Sequence, residues 1–175
     1  MSMREPAILA PRRPRAEDSA TRDPLVQLCC FTVGREEYVV DIMRVEEILP
    51  PQRVIAVPRA PTFVEGMLHL RGALLPIVDL RKRLSGTAEP PSPKSRLLVC
   101  LLGRRRLALR VDRVTEVMRV RRSDIKPAPS LLSPGRAPFV LGVCGTVERP
   151  RLLLDIKALL RAEVERESKG TGGAA

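Results

Sequence analysis

The sequence predicts an all-β fold: two small barrels packed as a pair, with short helical turns and a C-terminal helix. Two observations predict it. The first is an internal doubling. Residues 31–48 align without a gap with residues 100–117, placing Gly34 on Gly103, Tyr38 on Leu107, Val40 on Leu109, Ile42 on Val111, Val45 on Val114 and Glu47 on Glu116. A second block repeats in the same order: Phe63-Val64-Glu65-Gly66 falls on Phe139-Val140-Leu141-Gly142, and Ile77-Val78-Asp79-Leu80 on Leu153-Leu154-Asp155-Ile156. Two copies are too few for a solenoid and fit two similar lobes. The second observation is punctuation. Gly and Pro cut each half into about five apolar runs of strand length, and a small barrel closes so short a sheet without exposed edges. Either lobe alone would bury little surface, so the two should share an interface.

Taken in order, residues 1–24 are rich in Pro, Arg, Ala and acids without periodicity and read as a disordered arm. Leu25 to Val33 reads as a strand, Gly34 to Glu37 as a turn, and Tyr38 to Asp41 as the start of a returning strand. Ile42, Val45 and Ile48 recur every three residues, which favours a helical turn with Glu46 and Glu47 outward. Val54 to Val57 is a short strand stopped by Pro58. Met67 to Leu70 and Ala73 to Val78 are strands about a hinge at Arg71-Gly72, and Leu80 to Leu84 closes the first lobe (about 25–88) with a helical turn. Residues 85–95, with Pro90-Pro91-Ser92-Pro93, form the linker.

The second lobe (about 96–155) repeats the plan. Arg96 to Leu102 and Arg105 to Val111 form a hairpin, and Val114, Val117 and Met118 make a helical face. Pro127 to Pro138 is a Pro-rich loop. Phe139 to Val147 and Arg151 to Leu154 are the last strands. A helix over about 156–165 ends the ordered unit (25–165), leaving 166–175 as a tail.

Charge is distributed unevenly along the chain. Of the net +11, residues 92–160 hold fifteen basic and five acidic side chains, whereas residues 25–91 hold eight of each. The densest parts are Arg104, Arg105 and Arg106, then Arg119, Arg121 and Arg122, a candidate patch for an anionic partner. Nucleic acid lacks its other requirements here. Aromatic residues are 2% of the chain, with no Trp, so base stacking has little to work with, and no nucleic-acid-binding motif is present.

No catalytic constellation is visible either. The single His, His69, reads as a strand residue beside a turn. No phosphate-cradling Gly motif occurs. Asp79 and Asp155 are repeat equivalents placed to cap helical turns, and Glu47 and Glu116 read as exposed helix residues. Cys29, Cys30, Cys100 and Cys144 include no Cys-x-x-Cys pair, which argues against zinc and for small apolar core residues. No cofactor or metal is expected. No apolar run is long enough to span a bilayer, and the N-terminus lacks the apolar stretch of a signal peptide; a cytoplasmic location is expected. The residue that breaks the symmetry most plainly is Arg71, which has no basic counterpart and stands at a strand-pair tip beside Gly72.

At these residues the chain resembles the CheW family of chemotaxis coupling proteins. Phe31-Thr32-Val33-Gly34 to Tyr38 and Val45-Glu46-Glu47-Ile48 resemble its opening strand pair and turn. Leu70-Arg71-Gly72 and Leu75-Pro76-Ile77-Val78-Asp79-Leu80-Arg81 resemble its most recognisable segment, and Val111 to Val117 and Leu153 to Leu160 agree in the second half. His69 departs from the Asn usual before Leu-Arg-Gly. The resemblance implies two SH3-like five-stranded barrels around a shared core. It also implies a non-enzymatic scaffold joining the cytoplasmic tip of a methyl-accepting chemoreceptor to the regulatory domain of a CheA-type histidine kinase. The receptor tip would dock in a groove between lobes, and the kinase domain would pair end to end. By position, Arg71, Val45, Glu47, Ile48 and Gly72 fall in the contact segments, and the protein would be recruited to membrane-associated receptor arrays. A decoy adaptor that binds receptors without kinase, and a polyanion binder using the basic lobe, are the alternatives.

Overall fold

The computed structural model describes residues 22–160. The predicted arm up to residue 21, the helix beyond residue 160 and the tail lie outside them. The last residues of that arm are tied down: Asp23 accepts hydrogen bonds from the Ser123 amide (3.0 Å) and hydroxyl (2.5 Å), and the Pro24 carbonyl accepts from the Arg122 amide (2.9 Å).

Among the described residues eleven strands run in chain order: β1 (Leu25–Val33), β2 (Glu36–Asp41), β3 (Val45–Leu49), β4 (Val64–Leu70), β5 (Ala73–Asp79), β6 (Arg96–Leu102), β7 (Arg105–Val111), β8 (Arg113–Arg121), β9 (Lys126–Pro127), β10 (Val140–Gly145) and β11 (Pro150–Leu154). One short helix, α1 (Leu80–Ser85), follows β5, and helix resumes at 156–160. The strands form two SH3-like lobes. One sheet has the order β8-β1-β2-β11-β10-β9 and the other β3-β6-β7-β5-β4.

This order corrects the division into consecutive lobes at 25–88 and 96–155. Each half lends its first hairpin to the other half's sheet. β1 and β2 pair with β8 and β11, while β6 and β7 pair with β3 and β5. The exchange is symmetric: Leu153 pairs with Val39 in one sheet as Ile77 pairs with Ala108 in the other. The physical reason lies in burial. β1, β2, β6 and β7 form the central layer and are covered on both faces. Cys29, Phe31, Tyr38 and Val40 join Leu98, Cys100, Leu107 and Leu109 in one core shared by the lobes. Their neighbours face the lobe interiors, Leu28, Cys30 and Val39 in one, Leu97, Val99 and Ala108 in the other. Strands buried on both faces have no polar alternation to keep, hence the near-continuous runs LVQLCCFTV and RLLVCLL.

The repeat equivalents perform equivalent tasks. The Asp79 amide donates to the Phe63 carbonyl (2.7 Å) and the Asp155 amide to the Phe139 carbonyl (2.8 Å). Both phenylalanines flank one buried guanidinium: Arg83 stacks 4.2 Å from the Phe63 ring centroid and 4.6 Å from that of Phe139. Gly66 and Gly142 each pass under a neighbouring backbone carbonyl. A Cβ on Gly142 would lie 2.5 Å from the Lys126 oxygen, and one on Gly66 would strike the Ile55 oxygen.

The helical readings over Val45–Ile48 and Val114–Met118 are corrected. In these two stretches helical geometry is confined to the 3₁₀ turn Ile42–Arg44 that precedes β3, and β3 and β8 are strands. Each carries a bulge at the equivalent place, between Val45 and Glu47 and opposite Cys30/Phe31. An extra residue in a strand turns a period of two into a local spacing of three, which imitates a helix. Ile48 and Val117 consequently face outward, 40% and 52% exposed. The expected strand at Val54–Val57 is a single bridge between Ile55 and Met67.

Candidate protein-docking site

The predicted contact residues come together although they belong to opposite edges of the five-stranded sheet. β3 and β4 are its two edge strands. Yet Arg71, in the turn after β4, donates to the Glu47 carboxylate of β3 at 2.9 Å. The sheet has therefore curled until its edges meet. The turn is tight because Arg71 and Gly72 both adopt positive φ, 50° and 80°, the geometry of a two-residue hairpin turn. Glycine takes this conformation freely, but arginine does so at a cost of about 1 kcal/mol. The Arg71 side chain is 72% exposed. Val45 is half-buried, and Ile48 presents an apolar surface beside Glu47. The site thus offers one exposed cation, one partly buried carboxylate and an exposed isoleucine on a closed sheet edge.

The six arginines of the candidate anionic-partner patch are divided. Arg104, Arg105 and Arg106 lie at the β6–β7 hairpin of the five-stranded lobe, and Arg106 is already paired with Glu46 at 2.6 Å. Arg119 and Arg121 lie on β8, an edge of the other sheet, with Arg122 just after it. Because the lobes interleave, the basic second half is not a basic lobe. Residues 45–111, which build the five-stranded lobe, carry twelve basic and five acidic side chains; the rest of 22–160 carries twelve and nine.

A groove of about 660 Å³ opens at the mouth of the six-stranded lobe; Arg122 of the candidate basic patch lines it, and none of the predicted contact residues Arg71, Val45, Glu47, Ile48 and Gly72 does. Val26, Leu28, Ile125, Leu141 and Leu153 give it an apolar floor, and Leu102 of the other sheet closes one side. Asp41, Arg44, Arg122, Asp155 and Lys157 line it as well. Leu141 is 58% exposed. The equivalent mouth of the five-stranded lobe is nearly filled, leaving about 40 Å³. Arg110 fills it, held by Asp79 and by Glu65 (2.6 Å), and its guanidinium also donates to the Glu89 carbonyl in the linker (3.2 Å). Arg81 holds the Glu89 carboxylate (2.6 Å) and Asp112, fastening the linker across this mouth. The signal was present in the ungapped alignment, which sets Asp41 against Arg110 and Leu141 against Glu65.

The remaining titratable groups play structural parts. Asp79 and Asp155 cap helical turns, Asp79 accepting from the Arg81 and Lys82 amides (3.0 and 3.2 Å) and Asp155 from those of Lys157 and Ala158 (2.9 and 3.3 Å). His69 stands exposed on β4. All four cysteines are free and buried. Burial pushes the Cys30 thiol up to about 11 and that of Cys100 to about 12, so neither is a nucleophile near neutrality. No group of metal-ligating side chains occurs among the described residues. No helix there is long and apolar enough to cross a membrane.

Two interleaved SH3-like lobes thus carry an open groove with an apolar floor and a charged rim, and an exposed arginine at a sheet edge. The chain belongs to the CheW-like family: the model of the CheW-like domain matches residues 27–164. It is 35% identical to the chemotaxis protein CheW of Rhizobium meliloti (strain 1021) over 81% of this chain and 91% of that one. It is 33% identical to protein FrzA of Myxococcus xanthus, over 77% and 82% of the two chains. The crystal structure of the scaffolding protein TtCheW from Thermoanaerobacter tengcongensis superposes with a TM-score of 0.72 at 26% identity, covering 81% of this chain and 91% of that one. The family is one of chemotaxis signalling adaptors.

Proposed function

We propose that this protein is a non-enzymatic, cytoplasmic scaffold that couples the tip of a chemoreceptor to the regulatory domain of a CheA-type histidine kinase. The observation that carries this reading is the open groove. A receptor tip is a helical hairpin, and an amphipathic helix can lay apolar side chains against Val26, Leu141 and Leu153 while the charged rim fixes its register. Arg71, with Glu47, Val45, Ile48 and Gly72, is the proposed anchor of the second contact, which the kinase domain makes at the sheet edge. Arginine is common among residues whose loss costs about 2 kcal/mol or more of binding.

The test is binding of the purified protein to a CheA regulatory domain and to a receptor signalling fragment, at low and moderate salt, with Arg71→Glu beside wild type. Binding to both that survives moderate salt, with kinase binding lost in Arg71→Glu, supports the scaffold. Receptor binding alone indicates a decoy adaptor. Binding to neither refutes the reading for these partners. The polyanion reading draws on the absence of ion pairs at Arg104, Arg105, Arg119, Arg121 and Arg122 among the described residues. It requires affinity that falls steeply with salt.

A further inference from the structure

The two lobe mouths are built from equivalent positions, and one of them shows how such a mouth is filled. In the five-stranded lobe, Asp79 uses one carboxylate oxygen to cap α1 and the other to hold Arg110, which lies opposite it in the parallel β5–β7 ladder. Glu65 closes the cluster from β4. Under the repeat, Asp155 takes the place of Asp79, Asp41 that of Arg110 and Leu141 that of Glu65. The register agrees, since Asp155 and Asp41 lie two residues beyond the Leu153–Val39 pair of the equivalent ladder.

The open mouth therefore keeps the carboxylate and lacks the cation. Asp155 spends Oδ1 on the Lys157 and Ala158 amides, and Asp41 spends Oδ1 on the Met43 amide (2.9 Å). Both aspartates line the same groove, and neither forms an ion pair among the described residues. Arg44, Arg122 and Lys157 also line the groove, and none of them forms a salt bridge with either aspartate.

We propose that the partner supplies the missing cation. An amphipathic helix docks in the groove and inserts one arginine from its apolar face between Asp155 and Asp41, reproducing what Arg110 does with Asp79. Its apolar neighbours cover Leu141, and acidic side chains about one turn away meet Arg44, Arg122 and Lys157. This rests on the reading that the groove receives the receptor tip, and it specifies the chemistry of that contact. It also accounts for the closed mouth: with Arg110 and the linker in place, each chain offers one such socket.

The experiment measures affinity of the full chain for a purified chemoreceptor tip fragment, with thermal melting to confirm that each variant folds. Leu141→Lys reports on the groove. Asp155→Asn and Asp41→Asn keep the capping oxygen and remove the charge. The double variant Asp41→Arg/Leu141→Glu copies the closed cluster and plugs the socket from within. The expected results are about tenfold or greater weakening in Asp155→Asn, as for a hydrogen-bonded charge losing its partner, and loss of binding in the double variant. One tip arginine should exist whose replacement by Gln is not additive with Asp155→Asn. Normal binding by both Asn variants, with Leu141→Lys impaired, overturns the inference and leaves the groove reading standing. Normal binding by Leu141→Lys overturns both.

Discussion

Arg71 allows strain, pairing and recognition to be separated by two substitutions. Its φ of 50° costs a non-glycine residue about 1 kcal/mol, and its exposed pair with Glu47 returns roughly 0.2–1 kcal/mol. Arg71→Ala keeps the strain and loses the pair, so it should destabilise the fold by no more than about 1 kcal/mol. Arg71→Gly relieves the strain as well but gives the unfolded chain extra freedom, about 0.4–1 kcal/mol. The two terms nearly cancel, and Arg71→Gly should equal or slightly exceed Arg71→Ala in stability. Neither variant should alter the fold, yet both should weaken kinase-domain binding by about 2 kcal/mol if Arg71 anchors the interface. Urea denaturation gives the first quantity and titration calorimetry against the CheA regulatory domain the second. A loss above about 2 kcal/mol of folding stability in Arg71→Ala would show that the residue holds the barrel closed. Unchanged binding in both variants would remove it from the interface.

Other outcomes follow from the same geometry. Native protein at pH 8 should leave all four buried cysteines unmodified by a thiol reagent and release them on denaturation; fast labelling of the folded chain would contradict the burial of Cys30 and Cys100. The hydrogen bond from Arg151, helped by Arg149, holds the Glu37 carboxyl below its ordinary value. A depressed folded-state value stabilises above the unfolded value, about 4.3, and that contribution is lost as pH falls through the folded one. Wild-type stability should therefore fall more than that of Glu37→Gln below that pH in acid titrations followed by circular dichroism, and parallel curves would refute the coupling. Gly142→Ala places a methyl 2.5 Å from the Lys126 carbonyl and 3.1 Å from Ile125, and should cost about 1–3 kcal/mol in urea; a neutral result would mean that β9 is not held against β10. Leu98, wholly buried in the shared core, should cost about 2–5 kcal/mol when replaced by Ala, in one cooperative transition seen by probes in both lobes; separate transitions would refute a common core.

What the sequence revealed and what it hid have physical causes. The bounds of β1, β6 and β7 were legible because these strands are buried on both faces and read as unbroken apolar runs. The caps at Asp79 and Asp155 were legible because an acid before a helical turn has a local purpose. β3 and β8 were misread because their bulges counterfeit helical spacing. The exchange of hairpins was hidden because strand pairing is not a local property: Leu153 can pair with Val39 only after more than a hundred intervening residues have folded back. Arg71 was legible as the unmatched residue, but its partner Glu47 was not, since their contact depends on the sheet closing upon itself.

The interleaving changes what the charge pattern means. Along the chain, the excess of basic residues coincides with the second copy of the repeat and suggests one cationic lobe. In the folded molecule, β6 and β7 carry Arg104, Arg105, Arg106 and Arg110 into the other sheet, away from Arg119, Arg121 and Arg122. Two of these arginines are already committed, Arg106 to Glu46 and Arg110 to Asp79 and Glu65. A polyanion spanning the molecule would meet cations divided between the two sheets, which favours discrete contacts over a continuous electrostatic track. The same exchange sets Arg110 opposite Asp79 in one lobe and brings Asp41 and Asp155 to the corresponding positions, two residues beyond the Leu153–Val39 pair, in the other. Of the two equivalent mouths, the one that holds Arg110 is nearly filled, and the one with Asp41 in its place is open.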